Sequence, residues 1–216
     1  EKIKIASRVK PLRRMKSRPA PIVKRIEAKG SFKAIAIGSS TGGPQALQEL
    51  VGCLPANLPA AVVIVQHMSR GFIDGLAEWL RSSSGIDIRV AKAGDVLKPA
   101  TIYLAPDDYN MVVDGNGRIV LNEDVGKMML HVPSIDVLMV SVAEAYGKNA
   151  IGVIMTGMGS DGAEGMKAIK KAEGATIAQD EASSVVFGMN KAAIESGCVD
   201  TIVPIERIAE AIVKAL

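Results

Sequence analysis

Three apolar runs, Ala34-Ile-Ala-Ile37, Ala60-Ala-Val-Val-Ile-Val65 and Ala150-Ile-Gly-Val-Ile-Met155, are apolar on both of the faces a strand presents. Strands of this kind must be covered on both sides, which points to a mostly parallel sheet wrapped by helices. Aromatic residues make up only 3% of the 216-residue chain while 48% of residues are hydrophobic, so Ala, Val, Ile, Leu and Met must fill the core. Strands are expected near 33–38, 60–66, 86–91, 101–104, 151–156, 175–179 and 199–203. Helices are expected near 44–53, 71–83, 134–147, 161–173, 189–196 and 205–215. The alternation predicts a doubly wound α/β fold with helices on both faces. An additional β-hairpin is expected where Met111-Val-Val113 and Arg118-Ile-Val-Leu121 flank the turn sequence Asp114-Gly-Asn-Gly117, projecting beyond the parallel core.

Chemistry concentrates where these strands end. Gly38-Ser-Ser-Thr-Gly-Gly-Pro44 reads as a tight turn from strand into helix, with hydroxyls on the turn and a helix-starting proline after it. Such a turn presents a nucleophile or an anion site, because the first N–H groups of the helix lack partners. The plainer reading makes Ser40 or Thr41 a helix cap. The second apolar run ends at His67, and a third runs into Gly157-Met-Gly-Ser-Asp-Gly162, which puts Asp161 just past a strand. Ligands bind at that edge of an open parallel sheet. Ser40, His67 and Asp161 are therefore candidates for nucleophile, base and orienting acid, and chain order is no obstacle to a triad. Competing assignments remain for each. Ser39 adjoins Ser40, although strand alternation turns the two side chains apart. His67 has a reading as a core histidine, His131 stands as a substrate-rim residue or backup base, and Asp161 with Glu164 fits a capping box. The Thr41 N–H is a candidate oxyanion donor.

Six motifs in order, Gly38-Ser-Ser-Thr-Gly-Gly43, Gln66-His-Met68, Tyr103-Leu-Ala-Pro106, Pro133-Ser-Ile-Asp-Val-Leu138, Thr156-Gly-Met-Gly-Ser-Asp-Gly162 and Ala178-Gln-Asp-Glu-Ala-Ser-Ser-Val-Val-Phe-Gly-Met189, make residues 33 to 205 resemble the catalytic domain of the chemotaxis protein-glutamate methylesterases, CheB. The resemblance implies demethylation of glutamate methyl esters on chemoreceptor helices, with deamidation of receptor glutamines in many members. Two cysteines in a chain this long, without framework spacing, read as buried thiols of a reducing compartment, so a cytoplasmic location is expected. The resemblance carries the catalytic roles onto Ser40, His67 and Asp161 and an oxyanion role onto Met158. Asn190, where the family often has proline, departs from the pattern and bears only on local loop shape. A substrate cleft is expected beside the hairpin and the loops around Met68, Arg70 and Phe72.

Charge divides the chain. Residues 1–30 hold 11 Lys and Arg against Glu1 and Glu27, a net of +9, whereas residues 31–216 carry 15 basic and 21 acidic residues, a net of −6. The prolines and like charges of the first 30 residues describe a basic flexible linker. The resemblance reads it as the connection to an N-terminal receiver domain absent from this sequence, leaving 31–216 as the catalytic domain. Stacking aromatics are not interleaved with the charges, so nucleic acid is not expected as a partner. No run approaches the ~18 apolar residues of a membrane span. Cys53 and Cys198 lack metal-ligand spacing, and neither a metal nor a cofactor is expected. A nucleotide- or phosphate-binding domain is the rival reading, weakened because the turn lacks the P-loop lysine and the dinucleotide glycine spacing. A non-catalytic receptor-binding module is the third.

Overall fold

The computed structural model describes residues 33–123 and 131–216. The expected linker, residues 1–30, lies outside the described residues. Seven strands form one parallel sheet: β1 (Lys33–Ser39), β2 (Ala60–Gln66), β3 (Asp87–Val90), β4 (Thr101–Leu104), β7 (Ala150–Ile154), β8 (Ala175–Gln179) and β9 (Thr201–Val203). Their spatial order is β3-β4-β2-β1-β7-β8-β9. The chain winds outward from β1 in one direction and returns to the other side of it at β7. In open α/β sheets ligands bind where the winding reverses, beyond the carboxyl ends of the strands, which here is between β1 and β7.

The apolar runs are double-sided as their sequence requires. Ile35 and Ile37 face a core shared with α1 (Gly43–Cys53), α2 (Ile73–Ser82) and α6 (Ile205–Ala215), built on Leu47, Leu50, Leu80 and Ile208. Ala34 and Ala36 face the opposite core with α3 (Ile135–Tyr146), α4 (Ala163–Lys171) and α5 (Met189–Glu195), built on Leu138, Met139, Met166 and Met189. Small residues on this second face let α3 lie close to the sheet. A Cβ on Gly38 would sit 2.3 Å from Ile135 Cγ2.

The hairpin forms as β5 (Asn110–Val113) and β6 (Ile119–Asn122), paired antiparallel. It does not project beyond the core. Met111, Val113 and Ile119 are buried within the α3-side core, and the Val113 N–H donates to Ser141 Oγ on α3 at 3.0 Å. Two isolated strands cannot bury an apolar face alone, so the hairpin takes the face that α3 offers. Among the described residues no helix is long and apolar enough to cross a membrane.

Candidate active site

Strand register assembles the first half of the site. Ser39 of β1 pairs with Gln66 of β2, and the His67 N–H donates to the Ser39 carbonyl at 2.9 Å. Ser40 and His67, the next residues along, thus leave the same sheet edge side by side. Buried Gln66 clamps them: its Nε2 donates to the carbonyls of Ser40 (2.9 Å) and His67 (2.6 Å), and its Oε1 accepts from Ser39 Oγ at 2.7 Å. Ser39 is fully buried by that bond and Ser40 is half-exposed, which leaves Ser40 as the accessible hydroxyl of the pair. Neither hydroxyl residue caps α1. The cap is Gly42 at φ 81°, with no side-chain cap hydrogen bond, and Pro44 occupies the first turn.

The second half comes from β7. The Ser40 N–H donates to the Thr156 carbonyl at 3.0 Å, tying the turn to the chain leaving β7. Gly157 follows, where a Cβ would lie 2.8 Å from Ser40 Cβ, so only glycine fits beside the hydroxyl residue. The N–H groups of Thr41 and Met158 have no acceptor among the described residues. Beyond Met158 the loop turns back through Gly159 and brings Asp161 to His67. Asp161 Oδ2 stands 2.9 Å from His67 Nε2, and both side chains are 11% exposed. The pair has ion-pair distance without hydrogen-bond alignment, and Nδ1 is buried with no partner among the described residues. Loose alignment is usual before a substrate arrives. His67 is therefore no core histidine bonded to backbone.

Asp161 does not cap its own helix, contrary to the capping-box alternative. It reaches the start of α3 instead, accepting from Ser134 Oγ (3.1 Å) and from the N–H groups of Ile135 (2.8 Å) and Asp136 (2.9 Å). Glu164, the other half of the expected box, pairs with Lys167 at 2.7 Å. Burial opposes ionisation of Asp161, but the His67 ring and the N–H donors of Asp136 and Ile135 outweigh it and hold the carboxyl down at about 2. The carboxylate is therefore charged throughout the physiological range.

His131 stacks on His67, with ring centroids 4.5 Å apart and planes inclined by 25°. It is a neighbour of the site rather than a replacement base. Around the rim, Phe72, Met158 and Val185 expose 63%, 73% and 69% of their surface, and Arg70 pairs with Asp108 at 2.8 Å. Sequence reasoning missed Gln66 as the clamp of the turn and Asp136 as the partner of the Asp161 loop. The motif spellings contain both residues, but nothing local marks their roles. Asn190, expected to bear only on loop shape, is fully buried and donates to the Gln179 carbonyl (3.0 Å) and Ser184 Oγ (2.7 Å). It shapes the 180–188 loop, whose Val186 carbonyl receives the Gly157 N–H at 3.0 Å.

The sequence model of the CheB methylesterase family matches residues 35–212. A protein-glutamate methylesterase/protein-glutamine glutaminase of Moorella thermoacetica is 48% identical over 185 residues, covering 84% of this chain and 44% of the relative. One from Pyrococcus abyssi is 43% identical over 220 residues, covering 100% of this chain and 60% of the relative. The chain thus spans about half the length of the curated relatives it matches. The crystal structure of the Thermotoga maritima CheB methylesterase catalytic domain is similar with a TM-score of 0.82 at 38% identity, covering 87% of this chain and all of that one.

Proposed function

Because the chain belongs to the CheB methylesterase family, we propose that it is a serine hydrolase that removes methyl groups from glutamate methyl esters on chemoreceptor helices, releasing methanol. The observation that carries this reading is the His67–Asp161 pair, 2.9 Å apart, at the sheet edge from which Ser40 also emerges.

The position of Asp161 supports a division of roles between the two nitrogens of His67. Asp161 faces Nε2, so Nε2 holds the ring proton and Nδ1 is the free base. Ser40 Oγ attacks the side-chain ester carbonyl carbon while Nδ1 takes the hydroxyl proton. The negative oxygen that develops is met by the N–H groups of Met158 and Thr41. One such donor contributes about 10² to 10³ in rate. Collapse of the tetrahedral species expels methoxide, which leaves as methanol with the proton held on Nδ1. Water then enters, gives its proton to Nδ1 and cleaves the glutamyl–Ser40 ester, restoring the serine. Asp161 stays ionised throughout and stabilises the imidazolium formed twice in the cycle. Glutamine side chains react by the same route with ammonia as the leaving group, more slowly because the nitrogen must be protonated before it departs.

Exposed Phe72, Met158 and Val185 supply apolar contacts for a receptor helix around the site. Residues 1–30 serve as the linker to a receiver domain, and the chain works in the cytoplasm. The test is methanol release from methylated receptor membranes by the parent chain and by Ser40→Ala, with circular dichroism to check that both fold. The variant is expected to lose about 10⁴-fold or more in turnover. Retention of most activity would remove Ser40 from the mechanism.

A further inference from the structure

Two carboxylates beside the site are exchanged between two helices. Asp161 precedes α4 but accepts from the first turn of α3. Asp136 lies in that first turn of α3, and its Oδ1 accepts from the N–H groups of Gly162 (2.9 Å) and Gly165 (2.8 Å) at the start of α4. The start of α4 thus takes its acceptor from α3, and the start of α3, whose own cap Ser134 accepts from the Val137 N–H, takes a second acceptor from the α4 side. The cap residue of α4, Gly162 at φ 100°, has no side chain to serve the purpose. Close approach is built into both donors. A Cβ on Gly162 would lie 2.6 Å from Ile154 Cδ1, and one on Gly165 would lie 2.4 Å from Met139 Cβ.

We propose that Asp136 is a positioning residue for the reaction: through the N–H groups of Gly162 and Gly165 it fixes the end of the 157–162 loop and so holds Asp161 against His67. The proposal rests on the hydrolase reading given above. What the fold needs at position 136 is the acceptor oxygen and not the charge. Burial pushes the Asp136 carboxyl up, the Asp161 charge adds to that, and the Gly165 and Gly162 N–H groups pull the other way. Asparagine offers the same acceptor without the repulsion.

The experiment measures kcat and KM for methanol release by the parent, Asp136→Ala and Asp136→Asn, together with hydrogen exchange at the Gly162 and Gly165 amides. Asp136→Ala is expected to lower kcat by roughly tenfold to a hundredfold, the scale of a misplaced catalytic group, with KM within about twofold and faster exchange at both amides. Asp136→Asn is expected to restore kcat to within about threefold of the parent and to restore amide protection. If Asp136→Ala does not fold, Asp136→Glu, which displaces the acceptor by one methylene, carries the same expectation of a lowered kcat. A parent-like kcat in folded Asp136→Ala or Asp136→Glu overturns the proposal, as does an Asn variant as impaired as the Ala variant. A parent chain without esterase activity would be a failure of the hydrolase reading instead, and loss of amide protection in Asp136→Ala would still support the crossed caps.

Discussion

The serine corner and the aspartate corner of the site are held by different physics. Around Ser40 and His67 the contacts are neutral: two paired parallel strands set the positions, and one buried amide, Gln66, ties the two carbonyls and the Ser39 hydroxyl. Around Asp161 the contacts are charged: a carboxylate meets the N-terminal donors of α3, and a second carboxylate meets those of α4. Helix starts favour anions, so this arrangement stabilises Asp161 ionised while placing like charges close together. The neutral corner holds the nucleophile and the base, and the contacts that fix it, strand pairing and the Gln66 amide, contain no titrating group. The charged corner orients and balances the base, and it brings a dependence of stability on pH.

The strongest way to break the comparison is to neutralise the charged corner. Asp161→Asn is expected to lower kcat by about 10³ to 10⁴, since an amide cannot balance the imidazolium. Stability follows from linkage. The Asp161 carboxyl sits at about 2, below its ordinary value of 3.8, so its stabilisation is fully present above that ordinary value and is lost as pH falls towards 2. The gap in unfolding free energy between parent and variant is therefore expected to be on the order of 2 kcal/mol at pH 7 and to close between pH 4 and pH 2. Urea unfolding across that range measures it. A gap independent of pH would mean that hydrogen-bond geometry, and not charge, secures this corner.

Gln66→Leu attacks the neutral corner and has a smaller effect. It leaves the Ser39 hydroxyl and two carbonyls without their amide, at a cost of about 1–3 kcal/mol in stability. A roughly tenfold fall in kcat is expected, because the clamp joins the nucleophile turn to the base. The deficit in unfolding free energy should stay constant from pH 8 to pH 3, since no titrating side chain takes part. A deficit that follows pH as the Asp161→Asn gap does would dissolve the distinction between the corners.

The two corners also differed in how well the sequence showed them. The serine corner was legible because its cues are local: unbroken apolar runs, an abrupt change to small residues, and Pro44 marking the helix start. Strand boundaries came within a few residues for the same reason, although β7 stops at Ile154 rather than Thr156, whose N–H turns to Gln179 Oε1 at 2.8 Å. The aspartate corner was legible only as a position. Asp161 and Glu164 satisfy the spacing of a local cap, and the local rule loses to a partner 25 residues away in the chain, the Asp136 N–H. Asp136 is an ordinary first-turn acid to any reading confined to its own helix. The hairpin showed the same limit, since its turn was explicit but its buried face depended on α3.

The two corners meet at His67, and His131 tests how much that junction relies on its cover. The stacked ring, 4.5 Å away, lies against one face of the His67 imidazole. Ring pairs of this kind contribute about 0.5–1.5 kcal/mol beyond the area they bury. If the stack restrains His67 in the working orientation, His131→Ala should lower kcat about two- to tenfold, with little change in KM. His131→Phe keeps a flat ring but brings no titrating nitrogen, and it should recover most of the loss. The stack is then a packing contact that serves both corners equally. Equal losses in the Ala and Phe variants would instead make the second imidazole a polar participant, and the division between a neutral and a charged corner would have to include it.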